Sequence, residues 1–172
     1  MPPSPATPRH STRGDVPSLA TSVEAVRSLA RAARLLDKAS GELGLAHYRV
    51  LSAIAGGEDR ASRVAQRLQL GRPTISAAVD AMSRAGLIER AVVATDQRAF
   101  ELRLTKKGKE VLDAVEAEMV HELDDLCRRL PSPDAAAEML AALGDTLDAR
   151  AEERHALLSS RQAASRASEG RP

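Results

Sequence analysis

Asp96-Gln97-Arg98, then Leu102-Arg103-Leu104-Thr105, then Gly108, set an arginine beside an acidic residue just ahead of an alternating strand, a grouping suited to gripping a polyanion. The run lies in a strongly basic block. From Arg60 to Lys109, eight arginines and three lysines face Asp80, Glu89, Asp96 and Glu101, a net +7 in a chain whose total is +1. From Glu110 to Leu158 the balance reverses, with thirteen carboxylates against four arginines. A basic block beside an acidic one points to a phosphate-binding lobe and a supporting lobe kept off the same surface by repulsion. In the acidic half, ordinary solvated helix faces explain the charge as well.

Catalytic chemistry finds little to work with. His10, His47, His121 and His155 are scattered, with no two at the spacing of helical metal ligands. Serines are abundant but form no nucleophile elbow, and no glycine-rich phosphate loop is present. The chain is therefore expected not to be an enzyme and to carry no cofactor and no metal. Cys127, the single cysteine, excludes an internal disulfide and fits a reducing compartment. With no membrane-length apolar run and no signal-peptide core near Met1, the expected location is the cytoplasm, with no membrane partner.

These residues need elements to position them. At 172 residues, 43% hydrophobic and 1% aromatic, with Ala, Leu and Arg dominant, the chain suits one mainly helical domain. Residues 1–18 hold five of the nine prolines and are expected to be a disordered tail, as are residues 159–172. Val26, Leu29, Ala33 and Leu36 recur at helical spacing between Thr21 and Ser40, with Gly41 and Gly44 at the end. Leu45 to Ala55 forms a second helix with Tyr48, Leu51 and Ile54 or Ala55 inward, stopped by Gly56-Gly57. Ser62 is placed to cap a third helix that buries Val64, Ala65 and Leu68, and Leu70-Gly71 supplies a turn. The fourth opens at Gly71 with Pro73 in its first turn and buries Ile75, Ala78, Val79 and Met82. Arg72, Thr74, Ser76 and Ala77 then lie off the apolar stripe. In a helix-turn-helix such N-terminal residues of the second helix meet base edges.

The next segment reads as a hairpin: Gly86 ends the helix, a strand runs through Leu87 to Val93, Ala94 to Ala99 turn, and Phe100 to Leu104 return. Thr105 is placed to cap a long helix carrying Leu112, Val115, Met119, Leu123 and Leu126. After Pro131-Ser132-Pro133, Leu140, Leu143, Leu147 and Ala151 mark a last helix. The fold class is mainly α with a small β-hairpin wing.

The wing run, together with Gly71-Arg72-Pro73-Thr74-Ile75-Ser76 and Ala85-Gly86-Leu87-Ile88-Glu89-Arg90, resembles the MarR family of bacterial transcription regulators. The flanking helices agree in order from about Thr21 to Leu158. Gly71, where the family often has a Ser or Thr cap, and Pro73 depart from its pattern. The resemblance implies a domain over 19–158: a winged helix-turn-helix at about 45–108, with dimerisation helices at about 21–41 and 106–158. It also implies a homodimer on near-palindromic double-stranded DNA, with reading heads about 34 Å apart.

The DNA-contact candidates are Arg72, Pro73, Thr74, Ser76, Ala77, Gln97 and Arg98, with Arg60, Arg63 and Lys106 or Lys107 for phosphates. Arg98 is suited to a minor groove. Asp96 is expected to support the wing, and Gly108 to permit close packing. A repressor released by a small-molecule effector is the family-typical reading, with Arg34, His47, Tyr48 and Arg49 the nearest polar or aromatic groups. With so few aromatics, a cleft that stacks a phenolic ring is poorly furnished, which leaves an aliphatic or bulky apolar effector, or none, open. The alternatives are a winged-helix protein-interaction scaffold, metal sensing through Glu42, His47 and His121, or oxidant sensing through Cys127. Thiol sensors of that family use a first-helix cysteine, so Cys127 is expected to be buried or on the dimer side.

Overall fold

A computed structural model describes residues 19–93 and 96–169, with side chains for all of these except 92, 93, 96–99, 159 and 162–169. The elements run α1 Leu19–Ala39, a short 3-10 turn Gly41–Leu43, α2 Gly44–Ala55, α3 Ala61–Leu68, α4 Arg72–Arg84, β1 Ile88–Val93, β2 Asp96–Leu104, α5 Lys106–Cys127 and α6 Pro133–Glu169. Two compact units meet within α1, one up to Arg34 and one from Leu35 onward. In the first, the described residues form an amphipathic helix with nothing buried, and Val26 and Leu29 stand exposed.

The second unit is built on the stripes that periodicity marked. Leu51, Val64, Ile75, Val79 and Met82 are all but inaccessible, and Leu87, Ile88, Leu102 and Leu112 close the same core. Here α2 touches α3, α4, α5 and β2. Its buried face is accordingly broader than one stripe and includes Val50 and Ala53, while Tyr48 is half-buried and Ala55 is exposed. Each fully buried leucine or isoleucine contributes about 1.5–3 kcal/mol.

Several element ends differ from the expectation. Arg60, not Ser62, is the N-cap of α3, and no side chain caps it. The carbonyl of Asp59 accepts from the Leu102 amide at 2.7 Å, which holds the chain extended up to Arg60, so the helix starts at once. The return strand begins at Asp96 rather than Phe100. Ile88↔Leu104 to Val92↔Phe100 pair in regular antiparallel register, and then Val93 pairs Asp96, leaving Gln97, Arg98 and Ala99 between the two pairs. A polar stretch without alternation gives no strand signal, yet backbone pairing does not need one.

At the C-terminus, α6 continues past Leu158 to Glu169, so the segment expected to be a disordered tail is helical as far as that residue. Between Gly144 and Gly170 the sequence has neither glycine nor proline, so nothing in it breaks the helix. The expected N-terminal tail, 1–18, lies outside the described residues, as do 170–172. No helix among the described residues is long and apolar enough to cross a membrane.

Candidate nucleic-acid interface

Two helices and a tight turn build the site. At the end of α3, Gln69 takes the left-handed conformation (φ 54°), and the Leu70 amide reaches back to the Ala65 carbonyl at 3.0 Å. This reverses the chain within three residues and delivers Gly71 as the N-cap of α4, with Arg72 and Pro73 as its first helical residues. No side chain caps that end, so the first-turn amides of Arg72 and Thr74 remain available to an anion.

With Ile75, Val79 and Met82 fixed in the core, helical geometry leaves Arg72, Pro73, Thr74, Ser76 and Ala77 on the opposite face, and all five are exposed. Short side chains at Thr74, Ser76 and Ala77 keep that face low, as close approach to a groove floor requires. Arg60 and Arg63 stand exposed at the start of α3, with Arg63 lying 3.8 Å from Asp59. Asp80, one turn further along α4, pairs with Arg90 on β1, tying the helix to the base of the hairpin.

The hairpin's inner end is rigidly seated. Gly86 turns out of α4 with φ 71°, and the Thr105 hydroxyl donates to its carbonyl at 2.6 Å. The same hydroxyl accepts from the Gly108 amide at 3.0 Å, so Thr105 caps α5 as its position predicts. Gly108 is buried, and a Cβ there would fall 1.9 Å from the Leu87 carbonyl oxygen, so α5 crosses this strand only because the residue is glycine. Glu101 and Arg103, two apart on the outer face of β2, pair at 2.8 Å, which holds the Arg103 guanidinium above its usual pKa. Asp96, Gln97 and Arg98 belong to the backbone of β2; their side chains lie outside the described residues.

Not every nominated cation is placed to meet phosphate. The Lys107 ammonium donates to the Ala85 carbonyl at 2.9 Å and so closes the C-terminus of α4, where a cation is favoured. Lys106 is exposed, 3.8 Å from Glu110. Arg67, which the sequence did not single out, bridges Asp148 on α6 at 2.7 Å and Glu58 at 3.7 Å. Arg154 on α6 likewise donates to the Gln69 side chain at the helix-turn-helix turn. Partners 81 and 85 residues apart leave no local pattern to find; the opposite charges of the two blocks foreshadow only the Arg67–Asp148 pair.

The effector nominees diverge. His47, Tyr48 and Arg49 are consecutive on a helix and so point about 100° apart. His47 has Nδ1 3.1 Å from the Leu43 carbonyl and lines a small cavity of about 290 Å³ with Met82 and Leu87. Tyr48 donates to Glu116 on α5 at 3.4 Å, and Arg49 to the Leu68 carbonyl at 3.4 Å. Burial, with the Glu116 charge adding to it, raises the Tyr48 pKa above the usual 10. Arg34 lies on α1 in the first unit. Among the described residues no three His, Cys, Asp or Glu side chains converge as a metal site, and Cys127 is buried.

Residues 42–99 match the MarR family model. Among solved structures, wild-type apo MarR from E. coli matches with a TM-score of 0.61 at 18% identity, over 77% of this chain and 99% of that one. The transcriptional repressor CouR, bound to a 23-mer DNA duplex, matches at 0.62 and 24%, over 74% and 91%. The PcaV transcriptional regulator from Streptomyces coelicolor, in complex with its natural ligand, matches at 0.57 and 25%, over 76% and 96%. No curated protein matches the chain by sequence. The MarR family's sequence model thus falls on the helix-turn-helix, and over about three-quarters of its length the chain has the winged helix-turn-helix fold of solved MarR-family regulators.

Proposed function

We propose that this protein is a DNA-binding transcriptional regulator, non-enzymatic, acting as a homodimeric repressor that a small molecule releases. The observation that carries the DNA reading is the second helix of the helix-turn-helix. Its core residues Ile75, Val79 and Met82 leave Arg72, Thr74, Ser76 and Ala77 exposed beside an uncapped N-terminus, one salt bridge away from a basic hairpin. In this reading α4 enters the major groove, Arg98 of the wing enters the adjacent minor groove, and Arg60 and Arg63 hold phosphates. Asp96 supports the wing. The solved relative CouR on its duplex supports DNA as the partner, and PcaV with its ligand supports an effector.

Pairing of subunits is supported by apolar surface that one chain leaves uncovered. Val120 and Leu126 on α5 and Met139, Leu143 and Leu147 on α6 are each 39–74% exposed, large apolar side chains whose burial against a partner would be favourable. A second copy would cover them and set two reading heads on a near-palindromic site. Selection of bound duplexes from a random pool, followed by anisotropy titration across salt, tests the reading. A selected half-site repeat with affinity falling steeply in salt supports it. Equal, weak binding to every duplex contradicts it.

A further inference from the structure

The helix-turn-helix and α6 flank a cleft of about 830 Å³ that shares no residue with the cavity lined by His47. One wall is the start of α3 and the α3–α4 turn; the other is the stretch of α6 around Ala151, which is buried, and Leu158. Two links between these walls flank it, Arg67 to Asp148 and Arg154 to Gln69. Its chemistry is divided. Arg60, Arg63, Arg72 and Arg154 supply four guanidinium groups, while Ala65, Leu70, Ala151 and Leu158 supply an aliphatic lining. No carboxylate side chain lines it among the described residues. The partners found for these arginines are weak or neutral: Asp59 at 3.8 Å from Arg63, and the Gln69 amide for Arg154. The uncapped amides of α4 open toward the same rim at Arg72.

Such a site selects its occupant by class. Four guanidiniums whose one carboxylate partner is Asp59, 3.8 Å from Arg63, call for an anionic head. The aliphatic lining calls for an apolar body, and with His155 the one ring among the lining residues and no Phe, Tyr or Trp to stack on, an aliphatic body fits best. The volume lies within the range of small-molecule sites. We propose that this cleft binds an aliphatic carboxylate, whose head occupies Arg60, Arg63 and Arg72 and thereby competes directly with DNA for them, while Arg154 and Leu158 of α6 hold it. This rests on the proposed DNA reading for its consequence but not for the binding itself. Release by occupation of the reading head needs no conformational relay: ligand and phosphate exclude one another at the same guanidiniums.

The test uses full-length protein, with decanoate as the probe, 1-decanol as its uncharged counterpart and inorganic phosphate as a head without a body. Isothermal titration of DNA-free protein is expected to show decanoate binding well above both controls. Arg154→Ala is expected to weaken decanoate about tenfold, since it removes a charge-assisted bond, and Leu158→Asp to weaken it at least as much by repelling the head and wetting the lining. Circular dichroism melts of both variants confirm that they fold. In anisotropy with a selected duplex, the apparent Kd for DNA should rise in proportion to decanoate with no plateau. A plateau would overturn competition. Equal binding of 1-decanol, equal binding of phosphate, or indifference to both substitutions would overturn the site. If the protein binds no DNA at all, the DNA reading and the competition fall together while the calorimetry still decides the ligand. DNA binding without decanoate binding sinks the cleft alone.

Discussion

Gly108 is where a single atom decides whether the fold closes. A Cβ 1.9 Å from the Leu87 carbonyl cannot be absorbed by a flexible side chain, because the obstacle is backbone. Gly108→Ala should therefore cost about 2–3 kcal/mol or more, near the upper part of the overpacking range, read as a lowered urea midpoint; an unchanged midpoint would contradict the packing. Thr105 bonds both the Gly86 carbonyl and the α5 amide of Gly108, so Thr105→Val should cost about 1–2 kcal/mol by loss of the cap. Tyr48 is the only tyrosine in a chain without tryptophan, and its phenolate absorbance titrates alone. Its midpoint should lie above 10. Because the unfolded tyrosine ionises first as pH climbs, the folded form holds more protons through that window and stability falls with rising pH. Tyr48→Phe should flatten that alkaline loss; a midpoint at or below 10 would place the ring in solvent. The sequence marked Thr105 and Gly108 by position, since a cap and a close-packed glycine follow from a strand meeting a helix. It did not mark Lys107 as the cap of α4, because a lysine at a helix end and a lysine on phosphate look alike until the Ala85 carbonyl is seen 2.9 Å away.

At the scale of elements, the helix-turn-helix is a device for turning one buried row into one exposed row. Arg72→Ala and Arg98→Ala should each weaken binding to a selected duplex about tenfold or more, with a shallower salt dependence as a phosphate or groove contact is lost. Arg90→Ala, which frees Asp80 and loosens the tie between α4 and β1, should weaken specific binding more than nonspecific binding. Equal affinities for these variants and the parent in both assays would remove α4 and the wing from the interface. Periodicity made α2, α3 and α4 legible because their apolar rows are forced by one core; of the α5 row only Leu112 joins that core, and Leu126 is exposed. The start of β2 was not legible: pairing at Val93↔Asp96 is made by backbone, which leaves no alternation in the residues. His47, Tyr48 and Arg49, nominated as the nearest polar or aromatic groups, point in different directions because neighbours on a helix diverge. The Arg67–Asp148 contact was illegible for the opposite reason, being 81 residues apart.

At the scale of the whole molecule, charge and apolar surface are segregated along the chain. Eleven basic residues crowd the block that contains α4 and the wing, whereas the acidic helices α5 and α6 carry the uncovered leucines. In the proposed function the phosphate surface and the self-association surface lie on different elements, so that one chain could serve both. Leu143→Asp/Leu147→Asp, placed on exposed positions, should leave helix content intact and lower the sedimentation mass to that of one chain, with a fall in affinity for a two-half-site duplex. The most direct measurement is the affinity of the purified protein for a selected palindromic duplex across 50–300 mM salt, alongside a scrambled duplex. The proposed function predicts tight binding to the selected sequence alone, two chains per duplex, with log affinity falling linearly in log salt. One chain per duplex, or the same weak affinity for both sequences, would contradict it.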